Sequence, residues 1–528
     1  MSPREIELKL SVAAEDMDRL RKLPVLSPDE GKPTAKLLDS LYFDTADRRL
    51  QAHGLSLRVR RQGKKLVQTL KSAPPPGVGA LVRGEWEVPV TSPRPDLAAL
   101  PDPAVLAPLG PLTADELEPV FETRIRRQVR LLTPAPGVRI EVAIDQGEIV
   151  TPAGASLPIN ELELELVEGE DTLSLYNLAR TIHAALPVRL EMETKSARGY
   201  ALADGGSLTT RKADKLTLEK DTTVEEALAS VVRHCLTHML ANQAAALAGE
   251  DPEGVHQMRV ALRRLRSSFQ IFRPFIPADQ QETLVPGVKW LAGSLGAARE
   301  WDVFLGELLP PVTAVLPGHP GLVALEKAAQ DAHAAGYKAV RDAILSPRYT
   351  SLLLELAAWV DGRGWRNQPV SERSALLLRP VSEMAGALLT KRYKQARRRG
   401  RGFAHAEPAE RHELRIALKK LRYAADFFRS LFDQRAVRRF LEDLSGLQDK
   451  LGHLQDVATV TKLMRELEDT ATGPATKGWQ HGAGLVTGWH ARGLHDMESG
   501  VVEDWRRFAD TKPFWREPAE NTDGATLI

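Results

Sequence analysis

The chain has a single cysteine, Cys235, among 528 residues. An intramolecular disulfide and a cysteine-built metal site are both excluded, and the apolar residues around Cys235 mark it as a packed helical residue. No apolar run approaches the ~18 residues that a bilayer-spanning helix needs. The opening MSPREIELKL lacks the apolar core of a signal peptide, so a cytoplasmic protein is expected. Charge of one sign is missing too: 70 acidic residues stand against 71 basic ones. Bulk attraction for a polyanion is thereby excluded, and any such site has to come from local sorting of charge. GxxxxGK[ST] does not occur before a helix, so a P-loop is not the phosphate-holding device. What is present is a chain too long for one core, with roughly two to four domains expected.

Two patterns divide it. Residues 1–203 alternate apolar and charged residues in short runs broken by Pro and Gly clusters such as PPPGVG and TPAPG, the pattern of antiparallel strands. Residues 204–220 read as a linker. From 221 to 510 the spacing becomes helical, opening with TTVEEALASVVRHCLTHMLANQAAAL, where Thr222 or Thr223 caps the first helix and Glu225 and Glu226 sit in its first turn. Residues 511–528 form a tail. The expected fold is a multidomain α+β and all-α chain: an antiparallel β-barrel with covering helices, then duplicated helical bundles.

In a strand, residues two apart share a face. Glu5, Glu7 and Lys9 therefore point one way while Ile6, Leu8 and Leu10 point the other. The same alternation places Arg58 with Arg60, Arg83 with Glu85 and Glu87, Arg124 with Arg126, and Glu161 with Glu163 and Glu165, with Lys71 ending LVQTLK and Glu191, Glu193 and Lys195 as a further row. One polar face is ordinarily just solvated. Three glutamates in a row, however, hold like charges about 7 Å apart, which is unfavourable without compensating cations. Glutamate-rich and arginine-rich strands closed into a barrel with the charged face inward make a polar tunnel, its outside covered by helices such as TLSLYNLARTIHAAL. Arg and Lys suit a triphosphate, Arg by fork-like contacts and Lys as a point charge. Carboxylates suit divalent cations, and hard oxygen donors favour Mg²⁺ or Mn²⁺ over zinc.

These residues resemble the CYTH domain, the fold of the triphosphate tunnel metalloenzymes. EIELK fits its ExExK signature, and the further landmarks follow in order: Tyr42-Phe43-Asp44-Thr45, Leu57 to Arg60, Thr69 to Lys71, Arg83 to Glu85, Arg124 to Arg127, Glu141 to Gly147, Glu161 to Glu165, Lys195-Ser196 and Gly199-Tyr200. The resemblance implies Glu5, Glu7, Glu163 and Glu165 as metal ligands, with Glu161, Glu85 and Asp145 beside them. It implies Lys9, Arg58, Arg60, Lys71, Arg83, Arg124, Arg126 and Lys195 on the phosphates, and Glu5, Glu7 and Lys9 as the catalytic set. Tyr42 to Thr45 and Gly199-Tyr200 are expected to shape the barrel.

The second half contains a repeat. His256-Gln-Met-Arg-Val-Ala-Leu-Arg-Arg-Leu-Arg266 aligns with His412-Glu-Leu-Arg-Ile-Ala-Leu-Lys-Lys-Leu-Arg422, 156 residues later, and the same offset pairs Leu295-Gly296 with Leu451-Gly452 and Glu300 with Asp456. His256, Arg259, Arg263 and Arg266 share one helical stripe, opposite Met258, Leu262, Leu265, Phe269 and Phe272. His412, Arg415, Lys419 and Arg422 repeat it. A further run, Lys391 to Arg401, holds seven cations in eleven residues; with only Tyr393 and Phe403 near it and no nucleic-acid motif, it reads as a phosphate surface and no nucleic-acid partner is expected. Each histidine is followed by cations, which repel a metal and welcome an anion.

The duplicated motif resembles the CHAD domain, a helical module often fused to CYTH domains and linked to polyphosphate. Together the two resemblances imply an inorganic triphosphatase that cleaves tripolyphosphate to diphosphate and phosphate, with a polyphosphate-binding half. The same barrel also serves thiamine triphosphatases and adenylate cyclases, and a non-catalytic polyphosphate scaffold is the reading of another class.

Overall fold

The computed structural model describes residues 4–28, 33–73, 79–206, 209–470 and 478–516. The strands are β1 (Arg4–Ser11), β2 (Thr34–Asp44), β3 (Leu55–Gln62), β4 (Lys65–Ser72), β5 (Leu81–Val90), β6 (Glu118–Ala135), β7 (Val138–Val150), β8 (Ser156–Glu168) and β9 (Arg189–Leu190). The principal helices are α1 (Leu173–Ala185), α2 (Lys195–Ala203), α3 (Val224–Leu240), α4 (Pro252–Ile271), α5 (Pro347–Asp361), α6 (Val381–Arg399), α7 (Pro408–Phe428), α8 (Gln434–Thr470) and α9 (Trp479–Asp510). Two compact units result: Met1–Thr209 with Leu345–Gly364, and Thr210–Ile344 with Trp365–Ile528. Helix α5, which lies within the helical stretch of the sequence, packs on α1 and β9 in the first unit.

In the first unit the strands pair antiparallel in the order β5-β4-β3-β2-β6-β7-β8-β1-β9, and a β5–β1 pairing closes eight of them into a barrel. Leu8, Leu10, Leu162 and Leu164 on the outer face are fully buried, and α1 packs on β1 and β8 through its own buried face, including Leu175, Ala179 and Ile182. The barrel interior changes character along its length. Toward one end β8 turns Glu161, Glu163 and Glu165 inward. Toward the other, the same parity brings in Leu157 and Ile159, which join Leu38, Tyr42, Phe121, Ile125, Ile149 and Tyr200 in an apolar plug. Tyr42 stacks on Phe121 with centroids 4.4 Å apart, and a side chain at Gly199 would run into the Phe121 ring. Asp44 accepts the backbone N–H groups of Thr45, Leu50 and Gln51 at 2.8, 2.9 and 3.0 Å. The Tyr42 to Thr45 and Gly199-Tyr200 segments thus shape the barrel.

One row differs from expectation. Glu191, Glu193 and Lys195 do not share a strand face: β9 ends at Leu190, and Thr194 caps a helix by accepting the N–H of Ala197 at 3.1 Å. Lys195 is the first residue of α2.

In the second unit, Thr223 caps α3 in a capping box with Glu226, while Glu225 is buried and paired with Arg366. The repeated motif forms α4 and α7, which pack on each other. Their apolar stripes are buried: Met258, Leu262, Leu265 and Phe269 on α4 with its C-cap Phe272, and Leu414, Leu418, Leu421, Ala425 and Phe428 on α7. The side chain of Asp456 and residues 517–528 lie outside the described residues.

Candidate functional site

The polar part of the barrel encloses a cavity of about 260 Å³. Register decides its lining. Glu5, Glu7 and Lys9 enter from β1, Arg58 and Arg60 from β3, Lys71 from β4, Arg83 and Glu85 from β5, Glu163 and Glu165 from β8, and Lys195 from the start of α2.

Most of these charges are already paired. Lys71 Nζ lies 2.9 Å from both Glu5 and Glu85. Arg83 holds Glu5 at 2.9 Å and Glu7 at 2.5 Å, as expected from Glu5 standing opposite Arg83 in the β1–β5 ladder. Lys9 bridges Glu7 and Glu163 at 3.2 Å each. Burial alone would raise the Glu5 carboxyl, but Lys71 and Arg83 outweigh it and hold the group below its ordinary range. Lys195 Nζ sits among Asp145, Glu161 and Glu163 at 3.0, 2.6 and 2.6 Å; these carboxylates overcome its burial and raise its pKa.

Two places are compensated less fully, one around Arg60 and one around Glu165; beside them, Arg58 has Tyr42 at 3.4 Å and Glu7 already pairs with Arg83 and Lys9. Arg60 makes a 3.1 Å hydrogen bond to Ser40 Oγ, and burial together with Arg58 and Arg127 pushes its pKa down to about 9. Arg58 reaches Glu85 and Glu87 only at 3.9 Å. This wall is short of negative charge. Across the ladders, Glu165 stands opposite Glu7 on β1 and Glu141 on β7, a row of three carboxylates on adjacent strands. Burial, then Glu5, Glu141 and Glu7, push Glu165 up to about 8. Like charges set directly opposite destabilise a sheet, and a divalent cation on these hard oxygen donors would remove that cost. The donor chemistry therefore fits a metal.

Asp145, Glu161 and Glu163 also offer oxygens within 4.8 Å of one another and could hold a metal ion. Here the Lys195 ammonium occupies their midst, and Asp145 and Glu161, 0 % and 1 % exposed, stand behind the cavity lining. As arranged, they are the counter-ions of Lys195.

Two expectations for β6 are corrected. Arg124 is exposed and paired with Glu122 and Glu148 on the outside, and Arg126 is exposed as well. Pairing Arg127 with Lys36 and with Asp145 turns the odd-numbered residues inward. Ile125 enters the plug, and Arg127 lines the cavity, holding Asp145 at 2.8 and 2.7 Å and also pairing with Glu163. Both parities of RIRRQVR carry arginine, so alternation alone could not choose. Glu141 was legible as the odd-parity partner of Asp145, two steps along β7. Arg198, which pairs with Glu161, lies one helical turn after Lys195.

In the helical unit the two basic stripes converge. Lys419 is pushed down to about 7 by burial and then by Arg415, Arg263, Arg259 and Arg422. Arg259 donates to the Ala292 carbonyl at 2.7 Å, yet its Nε, like that of Arg263, is buried without a hydrogen-bond partner. The repeated glycines abut these arginines: a Cβ on Gly296 would lie 3.4 Å from Arg259 Nη1, and one on Gly452 4.0 Å from Arg415 Nη2. Glu300 pairs with Lys462 at 2.6 Å. The stripe ends diverge. His256, lowered to about 4 by burial and Arg299, is neutral at pH 7, His412 is exposed, and Arg266 acts on Lys420.

The CYTH domain family matches residues 3–200 and the CHAD domain family residues 230–465. The chain is similar to the inorganic triphosphatase of Haemophilus influenzae, 30% identical over 238 residues, which are 44% of this chain and 63% of that protein. It therefore spans somewhat less than two thirds of that relative. It is also similar to the crystal structure of the CHAD domain from the plant Ricinus communis, at 29% identity and a TM-score of 0.50, over 58% of this chain and 98% of that one. Residues 3–200 are thus assigned to the CYTH domain family and residues 230–465 to the CHAD domain family.

Proposed function

We propose that the barrel is a divalent-metal-dependent inorganic triphosphatase, cleaving tripolyphosphate to diphosphate and phosphate, and that the helical unit binds polyphosphate. One observation carries the first half. A single cavity sets Arg60, without a carboxylate partner among the described residues, and Arg58, 3.9 Å from Glu85 and Glu87, against Glu165 and Glu141, which have no cation partner among the described residues and stand beside a Glu7 already held by Arg83 and Lys9. An anion alone would relieve the first and worsen the second; a triphosphate with a divalent cation relieves both. The similarity to an inorganic triphosphatase supports the same reading.

In this reading Arg58 and Arg60 grip terminal phosphate oxygens by guanidinium forks, and Lys9, Lys71 and Lys195 add point charges. Glu5, Glu7 and Asp145 hold Arg83, Lys71, Lys9, Arg127 and Lys195 in place beforehand, so little reorganisation is left for the transition state. Glu165, Glu7 and Glu141 are the donors for Mg²⁺ or Mn²⁺. Such an ion, when bound, screens phosphate charge and lowers the pKa of an attacking water. The converging Arg259, Arg263, Arg415 and Lys419 carry the second half, since they gain most from a chain of phosphates. A cytoplasmic location belongs to the same reading; among the described residues no helix is long and apolar enough to cross a membrane.

Phosphate release from tripolyphosphate, ATP and thiamine triphosphate with Mg²⁺ or Mn²⁺ tests it, using wild type and Glu7→Gln. Release from none would leave a binding scaffold, and equal release by the variant would remove the site. An organic triphosphate is the second reading. It is favoured by a neighbouring cavity of about 260 Å³, lined by Leu55, Ala73, Met192 and Tyr200, that shares Ser56, Arg83, Thr194 and Ser196 with the first. Faster release from thiamine triphosphate, or cyclic AMP from ATP, would select it.

A further inference from the structure

The barrel cavity holds its cations in two ways. Lys9, Lys71, Arg83, Arg127 and Lys195 are each fixed by carboxylates within 3.2 Å. Arg58 and Arg60 are seated on hydroxyls instead. Strand register brings this about: β2 sets Ser40 opposite Arg60 and Tyr42 opposite Arg58, on the parity that brings Lys36, Leu38 and Tyr42 to the cavity. Arg60 donates through Nε to Ser40 Oγ at 3.1 Å, and Arg58 through Nη1 to the Tyr42 hydroxyl at 3.4 Å. Both hydroxyl-bearing residues are buried.

No carboxylate competes for these seats. On β2, Asp39 has the opposite parity, across from Arg61 and Arg124, and Asp44 is taken by the backbone N–H groups of Thr45, Leu50 and Gln51. The carboxylates that approach Arg58 are engaged elsewhere. Lys71 holds Glu85 at 2.9 Å and the Thr69 hydroxyl donates to Glu87 at 3.0 Å, which leaves each 3.9 Å from Arg58. Arg58 Nε is buried without a hydrogen-bond partner. A hydroxyl and a carboxylate both fix a guanidinium, yet only the carboxylate cancels its charge. A hydroxyl also keeps its own proton, which it can donate to a phosphate oxygen while accepting from arginine. For Tyr42 the apolar plug is the mount: its ring stacks on Phe121, and the same residue lines the polar cavity.

We propose that Ser40 and Tyr42 are positioning residues for triphosphate, a role that rests on reading the barrel as an inorganic triphosphatase. Their hydroxyls orient Arg60 and Arg58 towards the phosphate oxygens without neutralising them, so both guanidiniums keep their charge for the substrate. The other cations of the cavity share theirs with carboxylates.

The test is steady-state hydrolysis of tripolyphosphate by the full chain with Mg²⁺ or Mn²⁺, beside denaturant unfolding of each variant. Ser40→Ala removes the seat of Arg60, and Ser40→Asp replaces it with a charged one. KM should rise about three- to tenfold in Ser40→Ala and at least about tenfold in Ser40→Asp, whose unfolding midpoint should be no lower than that of Ser40→Ala. In an Arg60→Gln background, Ser40→Ala should add less than about twofold. Tyr42→Phe keeps the ring on Phe121 and should raise KM about threefold at an unchanged midpoint. A KM in Ser40→Asp no higher than in Ser40→Ala, or a Ser40→Ala penalty that is the same with and without Arg60, would overturn the proposal. An unchanged KM in Tyr42→Phe would overturn it for Arg58. A wild type inert towards tripolyphosphate would instead overturn the triphosphatase reading, and the role of these hydroxyls with it.

Discussion

Lys195 in the barrel has three carboxylates within 3.0 Å, whereas the strongest charge neighbours of Lys419 in the helical unit are four other cations. The first arrangement raises the lysine pKa and the second lowers it, although both side chains are largely withdrawn from water. Paired charges are fixed before substrate arrives, which suits chemistry at one place. Cations gathered beside one another store repulsion that an anion relieves, which suits binding and makes it sensitive to pH and salt.

Arg127→Ala should break that comparison most severely. It strips Asp145 and Glu163 of a buried partner, and about 3–5 kcal/mol of barrel stability should be lost in denaturant unfolding. Glu7→Gln should lower kcat for tripolyphosphate by about 10²–10³-fold while polyphosphate affinity stays unchanged. Arg259→Ala with Arg415→Ala should do the reverse, cutting polyphosphate affinity roughly 10²- to 10⁴-fold through two lost charged contacts and sparing hydrolysis. If the single and the double variant each damaged both activities, the division of labour would be wrong.

The pH prediction sharpens the contrast. Folded Lys419, near 7, binds fewer protons than an ordinary lysine at 10.5. Between those values the free protein therefore gains stability as pH rises, because the unfolded chain binds the extra proton. Polyphosphate reverses this by favouring the ammonium. Binding at pH 8 should take up as much as one proton, affinity should fall as pH rises from about 7, and Lys419→Met should abolish the uptake in calorimetry across buffers of different ionisation enthalpy. Uptake unchanged in the variant would assign the proton elsewhere. Smallest of all, Arg126→Ala should stay within ~0.5 kcal/mol of wild type and leave KM unaltered.

Where only one parity carries charge, as in EIELK, LRVR and ELELE, the inward face was legible, because a strand has no third option. RIRRQVR carries arginine on both parities, and its pairing with Lys36 and Asp145 chose Arg127 over Arg124 and Arg126. Glu191, Glu193 and Lys195 have strand spacing, yet the Thr194 cap outweighs it and begins a helix. Likewise, a three-residue glutamate row looks uniform along the chain. Across strands it divides into Glu161 and Glu163, which hold Lys195, and Glu165, which faces Glu7 and Glu141.

The amino-acid sequence by itself determined that one half of this protein sorts charge with a period of two and that the other repeats a basic helix. Those are properties of neighbours along the chain. Which charges find partners was decided only by tertiary structure, because register and helix packing bring together residues from distant segments. The lone Cys235, buried on α3, follows the same division: its isolation is a fact of composition, and its burial is a fact of packing.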